Sequence, residues 1–225
     1  MIDSFFRAIS YIFHPLLMPL LGMYFLFELP TIPDSYFVFD ALYFFPDEYK
    51  IRLYIVLGVL TFLAPLISLL IMRWNGMITS LHLEKREERV YPFTIVSFYY
   101  LLSYIFIRYQ WPEQLQHGAF VGFIFGILVV FILTFLINNW IKISLHAAAV
   151  FGVLGMLIAY NQNQLSFFEG EKIPNLVFIL IFSIISGLVV SARLYVKAHT
   201  LKEILLGMGI GFFGMYLCVR FELYI

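Results

Sequence analysis

The sequence predicts an all-α fold, a polytopic transmembrane helical bundle of about six to seven spans. Hydrophobic residues make up 62% of the 225 residues and charged residues only 12%, about half the roughly 25% charged fraction of soluble domains. The 26 Phe and 15 Tyr residues exceed what a water-soluble core of this length can hold. Several apolar runs also approach the about 20 residues that a membrane-spanning helix needs. We expect residues 1–225 to form a single integral-membrane domain.

The apolar runs define seven candidate spans. They are Phe5–Phe27, Ile51–Met72, Phe93–Ile107, Phe120–Ile137, Leu145–Tyr160, Leu176–Val190 and Ile204–Val219. Pro15 and Pro19 interrupt the first run, and six spans remain if that segment is re-entrant. The first run is too long for the apolar region of a signal peptide, and no small-residue cleavage site follows it, so a retained helix is expected.

The remaining composition excludes several classes of protein. A formal net charge of zero provides no field for nucleic acid or for an acidic partner. Cys218 is the single cysteine, so an intramolecular disulfide is impossible. Neither metal-ligand spacing such as H-E-x-x-H nor a Gly-rich nucleotide loop occurs, and no metal or other cofactor is predicted.

Three polar connectors are expected on one face of the membrane, because two spans separate each from the next. They are Arg73–Pro92, Asn138–Ser144 and Ser191–Glu203, and they hold most of the basic residues. Ionisable residues at the edge of a membrane are costly and indicate function. Their convergence on one face is therefore the strongest functional indication that the residues provide by themselves.

The first two connectors contain candidate anion-binding groups. Lys85 and Arg89 are four residues apart, so on a helix they would share one face and could hold one anion. The alternative is a solvated helix end with alternating charges. Lys142, Ser144 and His146 precede or begin an apolar helix, and a helix N-terminus binds anions. The alternative there is a capping Ser, a Lys reaching the interface and a hydrogen-bonded interior His.

The third connector contains a candidate nucleophile. His199 and Glu203 are four residues apart, so the carboxylate could orient the imidazole for nucleophilic or general-base catalysis. Arg193 precedes His199 by six residues, about 240° around a continuous helix, and the two can meet only if the chain bends. A capping box from Thr200 to Glu203 is the competing interpretation, and both roles can be filled at once. Together the three connectors provide the cations, nucleophile and acid that phosphoryl transfer needs.

The pattern resembles the type 2 phosphatidic acid phosphatase (PAP2) superfamily, which includes glucose-6-phosphatase-like and vanadium haloperoxidase-like proteins. Its motifs are K-x6-RP, PSGH and SR-x5-H-x3-D. Arg193, His199 and Glu203 keep both spacings of the third motif, and Ser144 and His146 keep two residues of the second. Pro92 follows Lys85 by seven residues, without the preceding Arg. The resemblance spans about residues 85–211 and is greater to the divergent bacterial members than to phosphatases with complete motifs.

The resemblance implies a metal-free lipid-phosphate phosphatase. His199 would form a phosphohistidine, Glu203 in place of the family Asp would polarise it, and His146 would protonate the leaving oxygen. The phosphoryl oxygens would be bound by Lys85, Arg89, Lys142, Ser144 and Arg193. The implied substrate is phosphatidic acid, phosphatidylglycerol phosphate or a polyprenyl phosphate. A lipid-to-lipid phosphotransferase and a non-catalytic phosphate-lipid binder or transporter are the alternatives.

The remaining expectations concern location and packing. The resemblance favours the bacterial inner membrane with the active site on the periplasmic side, whereas the positive-inside rule would place the basic connectors in the cytoplasm. His14, beside Pro15, is interpreted as a helix-packing or interfacial residue rather than a ligand. Gly207 and Gly211 indicate close helix packing, within the monomer or in a homodimer.

Overall fold

The computed structural model describes residues 2–29, 42–80, 87–112, 116–163 and 172–224. These residues form helices and contain no strand. The α-helices are α1 (Ile2–Ile12), α2 (Met18–Glu28), α3 (Asp47–Gly58), α4 (Ala64–Trp74), α5 (Val90–Ile105), α6 (Gly118–Asn138), α7 (Leu145–Asn163), α8 (Lys172–Tyr195) and α9 (Leu201–Arg220). Short 3-10 turns occupy Pro15–Leu17, Leu42–Phe44 and Glu87–Arg89, and π-helical turns occupy Val59–Leu63 and Phe106–Gln110.

Within the described residues, seven helical segments are long and apolar enough to cross a membrane, which confirms the predicted transmembrane helical bundle. They are Ser4–Glu28, Asp47–Trp74, Val90–Gln110, Gly118–Asn138, Leu145–Gln162, Leu176–Tyr195 and Leu201–Arg220. The third segment is longer than the predicted Phe93–Ile107 because the helix continues through Arg108 to Gln110 as a π-helical turn. A span predicted from hydropathy ends at the first polar residues, whereas the helical backbone continues through them.

The first span is broken at His14. Residue 14 has an extended backbone (φ −66°, ψ 138°) between α1 and the turn that begins at Pro15. Proline lacks the N–H that would continue the helix, and it disfavours helical backbone in the residue before it. The side chain of His14 then caps the next turn, since Nδ1 accepts a hydrogen bond of 3.3 Å from the backbone N–H of Leu16.

Helices α7 and α9 pack closely because glycines face backbone carbonyls across their interface. A Cβ at Gly207 would lie 2.6 Å from the carbonyl oxygen of Ser144, and one at Gly211 would overlap the carbonyl of Ala148. Close helix approach in membranes commonly depends on such small residues. The Gly207 and Gly211 pair is therefore accounted for by packing within one chain.

The described parts of the three polar connectors meet on one face, as predicted. Arg89 Nη1 donates a 2.7 Å hydrogen bond to Asn138 Oδ1 and so joins the first connector to the second. Lys142 Nζ donates a 3.0 Å bond to the carbonyl of Ala198, which joins the second to the third. The topological prediction from the number of spans is thus confirmed.

Candidate active site

The turn between α8 and α9 provides the bend that the sequence requires between Arg193 and His199. Lys197, two residues after the end of α8, adopts the left-handed conformation (φ 55°). The N–H of Ala198 bonds to the carbonyl of Arg193 at 3.1 Å, and that of Lys197 bonds to the carbonyl of Leu194 at 3.0 Å. This pair of bonds is the Schellman pattern that ends many helices. After it the chain reverses, and Arg193 and His199 line the same cavity.

His199 and Glu203 form a hydrogen-bonded pair at the start of α9. His199 Nδ1 lies 2.8 Å from Glu203 Oε2. The same carboxylate oxygen accepts a 3.3 Å bond from the N–H of Thr200, whose Oγ1 accepts a 3.4 Å bond from the N–H of Glu203. The two interpretations of Glu203 are therefore true together: it closes a capping box and it orients the imidazole.

The protonation of His199 follows from this contact and from its burial. A carboxylate can only accept, so the proton of the neutral ring lies on Nδ1 and the lone pair on Nε2. Burial lowers the pKa of His199 to about 4, with the positive charges of Lys142 and Arg193 acting in the same direction and Glu203 opposing them. The neutral ring, the nucleophilic form, is consequently the one present at neutral pH.

Ser144 and Lys142 lie beside the cavity and make hydrogen bonds to the backbone around it. Ser144 is fully buried, and its Oγ accepts a 3.4 Å bond from the N–H of Ala147 as the N-cap of α7. Its own N–H donates to the carbonyl of Glu203 at 3.3 Å. Lys142 donates to the carbonyl of Ala198. Neither side chain is among the residues that line the cavity. Both side chains hold the backbone beside it in position.

His146 lines the cavity from the first turn of α7. Its Nε2 lies 3.1 Å from the carbonyl oxygen of Ser10. Helix α1 ends at Ile12, and the last carbonyls of a helix need partners from outside it. Because a carbonyl can only accept, Nε2 of His146 carries a proton. The N-terminal span therefore fixes the tautomer of His146.

Arg89 also lines the cavity and is 6% exposed. Asn138, the last residue of α6, accepts from Arg89 Nη1 and also from the N–H of Ile143 at 3.4 Å. Sequence reasoning missed Asn138. The one feature of the sequence that indicates it is a polar side chain at the end of a mainly apolar helix. The predicted partner Lys85 lies outside the described residues, so the Lys85–Arg89 pair stays a prediction.

The cavity has a volume of about 150 Å³, with a polar end and an apolar remainder. Arg89, His146, Arg193, His199 and His14 contribute the polar groups. Nε of Arg193 is buried and has no hydrogen-bond partner among the described residues, which leaves a charged donor for an anion. The apolar wall includes Phe93, Val96, Tyr100, Phe123, Ile127, Val153 and Met215. Such a shape suits an anionic group attached to a hydrocarbon chain.

His14, which the sequence indicates as a helix-packing or interfacial residue, also borders the cavity. Its ring centroid lies 5.7 Å from that of His146 at an interplanar angle of 81°. The adjacent Pro15, which breaks the helix, is the signal that could have found it, since broken helices in membranes commonly line cavities. Within the described residues, no group of three His, Cys, Asp or Glu side chains is arranged to hold a metal ion.

Comparison with known proteins finds a family model that matches the C-terminal part of the chain. Residues 136–225 match the family model of the PAP2 superfamily, which confirms the predicted resemblance and supports a phosphatase-type function on lipid phosphate at the level of the superfamily. The matched part includes Lys142, Ser144, His146, Arg193, His199 and Glu203. It does not include Arg89 or His14. No curated protein and no solved structure matches the chain.

Proposed function

We propose that this chain, whose residues 136–225 match the PAP2 superfamily, is an integral-membrane phosphatase that hydrolyses a phosphomonoester or diphosphate of a lipid. The observation that carries the proposal is the pair of groups on the wall of one mainly apolar cavity: His199, bound to a carboxylate, and Arg193, whose buried Nε has no hydrogen-bond partner among the described residues. The substrate class is phosphatidic acid, phosphatidylglycerol phosphate or a polyprenyl phosphate.

In the first proposed step, Nε2 of His199 attacks phosphorus and the bond from phosphorus to the lipid oxygen breaks. Glu203 holds the Nδ1 proton and balances the positive charge that develops on the ring. Arg193 and Arg89 stabilise the non-bridging oxygens. His146 gives the departing oxygen a proton from Nδ1, while its Nε2–H stays on the carbonyl of Ser10. This transfer starts from the ring protonated on both nitrogens and leaves it neutral, with its single proton on Nε2.

In the second proposed step, His146 takes a proton from water, and the resulting nucleophile attacks the phosphohistidine. The bond from phosphorus to Nε2 breaks, inorganic phosphate leaves and His199 regains its lone pair. The residues that bind phosphate and move protons are all side chains of this chain, so the proposal is metal-independent. We further propose a bacterial inner membrane with the site on the periplasmic side.

Phosphate release from dodecyl phosphate, a simple lipid phosphomonoester, by the detergent-purified protein tests the proposal. Native protein should release phosphate in the presence of a chelator. His199→Ala should lose the release and should still bind the lipid, because only the nucleophile is removed. His117→Ala is the matched control, since His117 lies at the N-terminus of α6 and does not line the cavity. Unchanged release by His199→Ala would contradict the assigned nucleophile.

The products distinguish the alternatives. Mass spectrometry with a second lipid alcohol present would reveal phosphoryl transfer to that alcohol, the result expected of a phosphotransferase. Binding of dodecyl phosphate without any release would favour the non-catalytic binder.

A further inference from the structure

One face of α5 lines the cavity from its polar end into its apolar part. Arg89, Phe93, Val96 and Tyr100 occupy positions i, i+4, i+7 and i+11, and all four line the cavity, as expected of residues on one helix face. Arg89 directly precedes the helix, and Tyr100 lies about 16 Å further along the axis. This face therefore has a charged group at one end and a phenol hydroxyl at the other, with apolar side chains between them.

The hydroxyl of Tyr100 makes no hydrogen bond with any of the described residues. Tyr100 is 4% exposed, and its ring packs edge-on against Phe131, with 5.1 Å between the centroids. Thr134 carries the other hydroxyl on the described cavity wall, and that group donates a 2.8 Å bond to the carbonyl of Val130. A buried hydroxyl without a partner is costly, above all inside a membrane. The hydroxyl of Tyr100 therefore needs a partner, and the cavity is the side from which one can reach it.

The position of this hydroxyl indicates which part of a lipid phosphate it would meet. A phosphate held by Arg89 and Arg193 leaves the rest of the lipid along α5, towards Tyr100. Side chains on a helix lean towards its N-terminus, so the hydroxyl lies nearer to the polar end of the cavity than the Cα of Tyr100 does. In a glycerolipid phosphate, acyl ester carbonyls come between the phosphate and the hydrocarbon chains, and such oxygens accept from a tyrosine O–H. A polyprenyl phosphate has only hydrocarbon there and would leave the hydroxyl unpaired.

We propose that Tyr100 is a specificity-determining residue, whose hydroxyl donates a hydrogen bond to an acyl ester carbonyl of a glycerolipid phosphate in the cavity. The proposal rests on the proposed function for the phosphate end of the ligand. It deepens that function, because it selects glycerolipids from the proposed substrate classes. It also assigns the selection to α5, which lies outside the residues 136–225 that match the superfamily.

Tyr100→Phe removes the hydroxyl and keeps the ring that packs against Phe131. Because no described residue bonds to that hydroxyl, its removal should leave the thermal midpoint unchanged or raise it. Tyr99→Phe is the matched control on the same helix. The hydroxyl of Tyr99 lies 3.0 Å from Oγ of Ser68 in α4, and Tyr99 does not line the cavity. Its loss should lower the thermal midpoint and leave the choice between lipids unchanged.

The experiment compares two lipids that differ only in their carbonyl groups. Dihexanoyl phosphatidic acid has acyl ester carbonyls, and its dihexyl ether analogue has chains of the same length without them. Binding to the detergent-purified full chain is measured by calorimetry in the His199→Ala background, so it does not depend on turnover. We expect the ester to bind about fivefold more tightly than the ether, as one neutral hydrogen bond allows. Addition of Tyr100→Phe should abolish that preference by weakening ester binding, while ether binding stays the same.

Several outcomes would overturn the assignment. These are a preference for the ester that survives Tyr100→Phe, equal weakening of both lipids by that substitution, and no binding of either lipid. A fall in the thermal midpoint of Tyr100→Phe as large as that of Tyr99→Phe would also contradict it, because the hydroxyl would then already have a partner.

The failure of this proposal and the failure of the proposed function give different results. Selective loss of ester binding, in a protein whose native form releases no phosphate, would support the role of Tyr100 and reject the phosphatase reaction. Equal phosphate release from the ester and the ether, by native protein and by Tyr100→Phe alike, would reject the role of Tyr100 and keep the phosphatase reaction.

Discussion

Three imidazoles share one cavity, and each has its proton fixed by a different partner. His199 points Nδ1 at a carboxylate, His146 points Nε2 at a backbone carbonyl, and His14 accepts a backbone N–H at Nδ1. The first ring therefore has its lone pair on the distal nitrogen, whereas the neutral form of the third has its proton there. The same residue type is thus held in different tautomers within a single site.

Replacing Glu203 by Gln should separate its two roles. Gln is also found at this position of capping boxes, so the start of α9 should be kept. The negative charge behind His199 is lost, and we expect kcat to fall about a hundredfold. Glu203 raises the pKa of His199, so its loss lowers that pKa further, and an acid limb caused by His199 protonation should move to lower pH. Phosphate release measured as a function of pH checks both expectations.

Thr200→Ala is the matched control for that variant. It removes the capping oxygen, which costs about 1 kcal/mol, and leaves the contact between Nδ1 and Glu203. A lower thermal midpoint with kcat near the native value is expected. Equal losses of activity in the two variants would show that Glu203 acts only through the helix start.

At the scale of elements, the packing of α7 against α9 sets the geometry of the site. Helix α7 carries His146 in its first turn, and α9 begins two residues after His199. The carbonyl of Ser144 faces Gly207 at the same end of this interface. Separation of the two helices would therefore change the distance between the proposed nucleophile and the proposed acid.

Gly211→Ala should separate α7 from α9, because the added Cβ would overlap the carbonyl of Ala148. Overpacking of this kind costs about 1–3 kcal/mol, and we expect a lower thermal midpoint together with slower phosphate release. Gly209→Ala on the same helix is the control, since a Cβ there meets nothing within 4 Å. Alanine favours a helix by up to about 1 kcal/mol over glycine, so this variant should be at least as stable as the native protein. Equal destabilisation by the two substitutions would contradict the role of close packing.

At the scale of the whole molecule, the described polar connectors meet at one end of the bundle, and the proposed periplasmic side of that end can be tested with cysteines. Asn139 is exposed in the connector after α6, and Gln110 is exposed at the opposite end of the third span. The native Cys218 is buried and serves as background. In intact cells, an impermeant maleimide should label Asn139→Cys and leave Gln110→Cys unlabelled. The reverse pattern would place the site in the cytoplasm.

The sequence was sufficient to predict contacts between residues close together in the chain, and to predict which connectors share a face from the number of spans between them. The spacing of four residues predicted the contact of His199 with Glu203, and the number of spans predicted that the polar connectors would meet. It was insufficient for Asn138 and His14. Asn138 binds Arg89 across 49 residues, and His14 meets a ring in α7. No periodicity relates such distant positions, so these contacts become visible only when the helices have packed.

The hydrogen bond from His146 to the carbonyl of Ser10 also has a consequence for biosynthesis. A ribosome delivers the first span to the membrane long before α7 exists, and the two partners are 136 residues apart in the chain. Three further spans are made before α7, so the carbonyl at the end of α1 meets the imidazole only when the fifth span has been made, and His199 is made later still. Incomplete chains released from translation would consequently lack the pocket altogether, and the reactive histidine would arrive only after most of its binding site had assembled.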